Sequence, residues 1–284
     1  FPYTTLFRSD SINITKELSY LLGWIWSDGY LNKDLRSFNI TMVTEDSIDI
    51  KLIIEQCFPT VKEYSKRRFN PTHKPTSVFS VHSAQFSHFL AENDFRNKSQ
   101  ESPNKILAHI KSENQYLFWR GVFEGDGSIY FKKNKIGITI TSTFQQKWDS
   151  LELFASQNNI KYSITRKANF KNSYSRFVIC SRLDCIRFLE TIYKDNLNLT
   201  LKRKYDKLLL IKKYYRQFII NNLQPSATGN KWRVTLMNDK QSVINTIRHS
   251  KTECILMKYN KIRELNTDLF QLSQILQITE KDLL

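Results

Sequence analysis

Two short stretches of this 284-residue chain place a carboxylate where a carboxylate is unfavourable. "YLLGWIWSDGYL" (Tyr20 to Leu31) and "FWRGVFEGDGSI" (Phe118 to Ile129) each run through an apolar helical pattern and close on Asp-Gly. The acids, Asp28 and Asp126, fall at predicted helix C-termini, where the macrodipole is already negative. The two stretches align without a gap, Gly23 with Gly121, Ser27 with Gly125 and Asp28 with Asp126. In each, two small residues lie four apart, on one face of a helix. Small side chains there let two helices approach closely, which would bring Asp28 and Asp126 side by side. A like-charged pair at two negative helix ends calls for a cation. All-oxygen ligation by carboxylates, carbonyls, water and phosphate is what Mg²⁺ prefers. Two such acids on a basic protein suggest metal-assisted phosphodiester hydrolysis.

The elements around the motif repeat as well. "FNITMVTED" falls on "IGITITSTF", pairing Ile40 with Ile138 and Thr44 with Ser142. "SVFSVHS" falls on "SRFVICS", and each is followed by an apolar helix pattern and then a basic stretch, "FRNKS" or "LTLKRK". Alternation at Phe38, Ile40 and Met42, and at Ile136, Ile138 and Ile140, predicts half-buried strands. Each copy therefore reads as helix, two strands, helix, two strands, helix. The predicted fold is α+β, two pseudo-symmetric αββαββα halves packed through the motif helices. The halves are expected at 10–112 and 113–216, with Pro103 in "ESPNK" marking the boundary, and an extension at 217–284.

Composition sets the class of partner. The chain carries 43 Lys+Arg against 27 Asp+Glu, a formal charge of +16, which favours a polyanion. The charge is uneven: 10–112 holds 13 basic and 12 acidic residues, whereas 113–215 holds 19 and 9, so phosphate grip should concentrate in the second half. Cys57, Cys180, Cys185 and Cys254 have neither CxxC nor zinc spacing. They read as reduced thiols of an intracellular protein, in a prokaryotic or phage-infected cytoplasm or an organelle. His82 and His88 read as ordinary strand or surface residues. No apolar run approaches the roughly 20 residues of a membrane helix.

The paired motifs, "LLGWIWSDG" and "WRGVFEGDG", resemble those of single-chain LAGLIDADG homing endonucleases, and the likeness runs from Thr15 to Tyr215. The resemblance implies a monomer whose strands form a saddle over double-stranded DNA, and metal ligation by Asp28 and Asp126 with Mg²⁺, or another divalent cation such as Mn²⁺. It implies helix contact through Gly23, Ser27, Gly121 and Gly125, and catalytic lysines near the scissile phosphates, matched at Lys98 and Lys202. It implies intron homing as part of a mobile element. Glu124 fits an often acidic motif position whose counterpart here is Trp26, so its role is secondary. Thr44 and Ser142 fall at a polar strand end that holds water in the family. Candidate DNA contacts are Lys33, Arg36, Arg67, Arg68, Lys132, Lys133, Lys135, Arg166, Lys167, Lys171 and Arg176. The alternative on the same scaffold is an intron maturase, with its own intron RNA as partner, or a non-cleaving nucleic-acid-binding protein.

Two terminal features stand apart. "FPYTTLFRS" at positions 1–9 matches the in-frame translation of a common sequencing-library adapter and is set aside as an artefact, with the native start expected upstream of Asp10. In the extension, "GNKWRVTLM" predicts a turn and strand, "QSVINTIRHSKTECILMKYNKI" a helix, and "LFQLSQILQITEKDLL" the front of a truncated helix-turn-helix.

Overall fold

The structure is a computed structural model, and it describes residues 12–66, 74–132, 135–168, 173–195, 198–216, 218–225, 232–238 and 243–248. The chain forms two compact units, one ending at Lys207 and the other beginning at Leu208.

The first unit contains the repeated halves. The first runs α1 (Lys16–Asp28), β1 (Gly29–Leu31), β2 (Phe38–Val43), α2 (Thr44–Cys57), β3 (Lys62–Lys66), β4 (Thr76–Val81) and α3 (Ala84–Glu92). A short helix α4 (Asn104–His109) follows directly from Pro103. The second half runs α5 (Gln115–Asp126), β5 (Gly127–Lys132), β6 (Lys135–Ser142), α6 (Asp149–Gln157), β7 (Ser163–Lys167), β8 (Tyr174–Ile179) and α7 (Arg182–Ile192). The helix α8 (Lys202–Arg216) begins beyond it. Both sheets are antiparallel and share one order, β1-β2-β4-β3 and β5-β6-β8-β7. The predicted αββαββα pair is therefore the observed fold.

Local chemistry explains the repetition. Phe38, Ile40 and Met42 on β2 are buried, as are Ile136, Ile138 and Ile140 on β6, while the residues between them reach the other face. Helix starts are fixed by hydroxyls. Thr15 Oγ1 accepts the Leu18 N–H at 3.2 Å and caps α1. Ser83 and Ser181, matched in the repeat, accept from the Phe86 and Asp184 N–H groups at the starts of α3 and α7.

The halves meet where α1 crosses α5. A Cβ placed on Gly23 would collide with the Phe118 carbonyl and lie 2.9 Å from the Gly121 Cα. One on Gly121 would collide with the Tyr20 carbonyl and lie 2.9 Å from the Trp24 nitrogen. One on Gly125 would strike Ser27 and lie 3.0 Å from Asp28 Oδ2. All four predicted contact positions thus sit in the crossing, Gly23 and Gly121 at backbone-to-backbone distance and Gly125 against the Ser27 side chain.

The segment between the halves is held to the second half. Lys147 N–H donates to the Gln100 carbonyl at 2.8 Å, Gln146 Nε2 to the Glu101 carbonyl at 2.7 Å, and Ser102 Oγ to Ser150 Oγ at 2.8 Å.

In the second unit the described strands are β9 (Phe218–Pro225), β10 (Trp232–Asn238) and β11 (Val243–Arg248), an antiparallel sheet of order β11-β10-β9. The strand expected in "GNKWRVTLM" is β10. The helix expected from Gln241 is corrected over Val243–Arg248, which pairs with β10. Its β-branched residues Val243, Ile244, Thr246 and Ile247 suit a pleated surface better than a helix. The expected helix-turn-helix, and positions 1–9, lie outside the described residues. Among the described residues, no helix is long and apolar enough to cross a membrane.

The crossing makes a direct prediction. Gly23→Ala and Gly121→Ala should each destabilise the protein by about 3 kcal/mol or more, because the obstacles are backbone atoms that cannot rotate away. Gly137→Ala, whose added carbon would sit 3.8 Å from the Ile179 carbonyl, should be neutral or stabilising by about 0.5 kcal/mol. Urea unfolding of the three variants checks the contrast.

Candidate active site

The crossing carries α1 and α5 to a common end. Asp28 is the last residue of α1 and Asp126 the last of α5. Asp28 is half-buried; Asp126 opens to solvent on one side but is crowded by protein on the others. Among the described residues, neither carboxylate accepts a hydrogen bond. Burial first, and the Asp126 charge second, push the Asp28 carboxyl up to about 6. Burial also raises Asp126, opposed by the ammonium groups of Lys98 and Lys204.

Two lysines close the helix ends. Lys98 Nζ donates to the Ser27 carbonyl at 2.7 Å and lies 4.9 Å from the centre of the Phe95 ring. Lys204 is buried, and its Nζ donates to the carbonyls of Phe123, Glu124 and Gly127 at 2.7, 2.6 and 2.6 Å. Each lysine answers the unpaired carbonyls and negative dipole of a helix C-terminus. Burial lowers both ammonium groups to about 8; Asp126 and Asp28 pull Lys98 back upward, whereas Arg203 lowers Lys204 further and Glu124, Asp46 and Asp126 raise it.

The lysine expected near this helix end was Lys202, whereas the side chain the structure brings there is Lys204. Lys202 is exposed at the start of α8, where its backbone N–H donates to Asp49 Oδ2 at 2.9 Å. Two residues along a helix amount to about 200°, so the side chains at 202 and 204 point to opposite sides. The inward face selects Lys204. Between them Arg203 grips Asp46 of α2 through Nε and Nη2 at 2.6 and 2.7 Å. The start of α8 thus ties the first half to the end of α5.

The remaining motif residues separate by role. Glu124 is fully buried and accepts from Tyr20 Oη across the helix crossing, from Tyr193 Oη at 2.8 Å and from the Leu201 N–H at 2.9 Å. It holds α1, α5 and the segment before α8 together. Trp26, its counterpart, is buried against the Phe95 edge. A cavity of about 30 Å³, room for a water molecule, is lined by Trp26, Asp126, Ser142 and Gln146 among others. Ser142, the last residue of β6, donates to Gln146 Oε1 at 2.7 Å there. Thr44 instead opens α2, and its Oγ1 accepts from Ser77 Oγ at 3.4 Å.

The outer strand faces carry exposed cations and aromatic rings. Lys33 and Arg36 are exposed in the β1–β2 turn. Lys132 and Lys135 are opposite one another at the end of β5 and β6. Lys167 and Arg176 are exposed on the same face of β7 and β8, and the Arg176 guanidinium stacks 4.3 Å from the Tyr174 ring centre. Arg166 is not on that face: it pairs with buried Ser175 and its guanidinium binds the Phe144 and Gln146 carbonyls. Strand alternation turns it away from its neighbour Lys167. Arg67, Arg68, Lys133 and Lys171 lie outside the described residues. Charge does not single out the uncharged side chains on the outer faces, including exposed Tyr30 and Tyr130, Asn39 opposite Tyr30, Thr139 opposite Ser128 and Thr141 opposite Arg176. Their alternation with buried partners was the available signal.

Among the described residues, no group of three or more His, Cys, Asp or Glu side chains gathers as a metal cage. The two unpartnered carboxylates nevertheless suit a hard divalent cation whose remaining ligands are water, carbonyl and phosphate oxygens.

Comparison with known proteins places the second half. Residues 113–193 match the LAGLIDADG-like domain family. No curated protein matches the chain. Among solved structures, full-length DUF199/WhiA from Thermatoga maritima is similar at 16% identity and a TM-score of 0.43, over 75% of this chain. The chain spans 65% of that protein's length. The homing endonuclease I-WcaI, bound to its DNA recognition sequence, is similar at 15% identity and a TM-score of 0.49, over 73% of this chain and 94% of that one. A structure of homing endonuclease I-DmoI variants gives 16% and 0.43, over 65% and 99%.

The raised Asp28 carboxyl has a consequence for stability. Its folded value of about 6 exceeds the ordinary 3.8, so the folded state binds more protons between these values. The stability that Asp28 contributes is therefore fully present below about pH 4 and is lost as pH rises through 6. Metal-free Asp28→Asn should melt higher than the parent at pH 7.5 and equally at pH 4. Added Mg²⁺ should raise the parent's melting temperature more than the variant's. Thermal denaturation at the two pH values, with and without Mg²⁺, measures both effects.

Proposed function

We propose that this chain, whose residues 113–193 match the LAGLIDADG-like domain family, is a site-specific DNA endonuclease that hydrolyses both strands of a double-stranded target, dependent on a divalent cation. The observation that carries the reading is the pair of unpartnered carboxylates, Asp28 and Asp126, at the joined ends of α1 and α5. A protein using this scaffold only to bind would gain stability by replacing either acid with a neutral residue.

Asp28 and Asp126 would hold Mg²⁺ or Mn²⁺, which when bound polarises a phosphoryl oxygen and makes water a better nucleophile. The chain's own residues supply the rest. The crossing at Gly23 and Gly121 fixes the spacing of the acids. Lys98 places a cation beside them that can steady negative charge developing on a phosphate. The cavity at Asp126, Ser142 and Gln146, walled otherwise largely by apolar side chains, has room for one water beside the Asp126 carboxylate. Lys33, Arg36, Lys132, Lys135, Lys167 and Arg176 would anchor the phosphate backbone, leaving base reading to the outer strand positions between them.

The test is cleavage of a randomised double-stranded DNA library in Mg²⁺. Recovery of cut product with one preferred sequence is expected. Asp126→Asn should reduce cutting at least 100-fold while retaining binding to that sequence in a gel-shift assay. Binding of structured RNA with no DNA cut in Mg²⁺ or Mn²⁺ would favour the maturase alternative and overturn this reading.

A further inference from the structure

The two lysines that close the motif helices are not equivalent. An ammonium group has three N–H donors. Lys204 uses three, on the carbonyls of Phe123, Glu124 and Gly127, and is buried. Its stem packs near Phe123, with the ammonium 5.1 Å from that ring's centre. Turning Lys204 toward a phosphate would break three short bonds and leave buried carbonyls unpaired at the end of α5, each at a substantial cost. Lys98 makes one hydrogen bond among the described residues, to the Ser27 carbonyl, and its side chain is half-buried. Two of its donors can therefore serve a phosphate oxygen or a water while the third still holds α1.

Both lysines sit in backbone that is itself held. Lys204 follows Arg203, clamped to Asp46, and Leu201, whose N–H is held by Glu124. Lys98 follows a 3-10 turn at Phe95–Asn97, and the Ser99 and Gln100 carbonyls beyond it accept from Thr143 Oγ1 and the Lys147 N–H. What separates the two is how many donors of each ammonium are already committed.

From this we infer that the chain has one catalytic lysine and one positioning lysine, so its two DNA strands are cut with unequal dependence on them. Lys98 contacts the reacting phosphate of one strand. Lys204 acts through α5, holding the helix end that carries Asp126. This rests on the endonuclease reading above.

The experiment uses the full chain and the DNA target recovered from the randomised library, with a different dye on each strand, under single-turnover conditions. Lys98→Met should slow one strand about 100-fold and the other by no more than a few-fold, so nicked DNA accumulates. Lys204→Met, checked for folding by its melting curve, should slow both strands by similar factors. It should also raise the Mg²⁺ concentration needed for half-maximal rate. Lys98→Met carries the test even if Lys204→Met does not fold, since only one hydrogen bond is lost at Lys98. Equal slowing of both strands by Lys98→Met overturns the inference. So does selective loss of one strand in folded Lys204→Met with unchanged Mg²⁺ dependence. A wild-type chain that cuts neither strand overturns the endonuclease reading itself.

Discussion

The backbone contact of α1 with α5 at Gly23 and Gly121 constrains nearly everything else in the first unit. With no side chain between them, the helices cross close enough that their last residues share one small volume. That proximity brings Asp28 and Asp126 together and removes water from the final carbonyls of both helices. It also lets Tyr20 of one half reach Glu124 of the other. A wider crossing, with alanine at either glycine, would relieve the crowding of charge. It would also separate the carboxylates and empty the cavity walls that Trp26 and Trp119 supply. The electrostatic discomfort and the geometry of the site have the same origin.

Such a site needs positive charge that does not depend on a bound ion. Lys98 and Lys204 provide it, and they do so as helix caps, which gives each a structural reason to stay. Symmetry ends at that level. Glu124 gathers three hydrogen-bond donors, Tyr20 from the first half and Tyr193 and Leu201 beyond it in the chain, while Trp26 fills the corresponding place by packing. Ser27 hydrogen-bonds its own helix at the Gly23 carbonyl, where Gly125 leaves room. The halves keep one frame and support it by different means, so equal roles cannot be assumed for matched residues.

What the sequence revealed was whatever repeats or alternates. The helix crossing, the succession of helices and strands in each half and the paired acids follow from in-register glycines, aspartates and apolar alternation, since these report backbone periodicity directly. Lys204 was hidden because three consecutive basic residues, Lys202 to Lys204, are distinguished only by helical phase, and the phase is set by where α8 starts. Arg166 was misplaced for the related reason that charge says nothing about which face of a strand a residue occupies. The role of Glu124 depends on Tyr193 and Leu201, about seventy residues further on, and no local pattern encodes that meeting. Over Val243–Arg248 a mixed apolar run fitted two periods, and the pairing with β10 decided between them.

The same distinction between charge and placement governs how the outer faces would meet DNA on the endonuclease reading. Cations are easily found in sequence, but a flexible ammonium or guanidinium near a phosphate carries little base information. Base edges in the major groove are distinguished by donors, acceptors and the thymine methyl. The rows Tyr30–Asn39–Ser80 and Ser128–Thr139–Val178 offer those chemistries at fixed positions on rigid strands. A neutral hydrogen-bonding group on a strand gains little from a phosphate, whereas a cation discriminates only where its geometry is fixed, as in a bidentate arginine–guanine pair. On that reading the excess charge of the second half would set how strongly DNA is held, and the uncharged strand positions of both halves would contribute to which DNA is held.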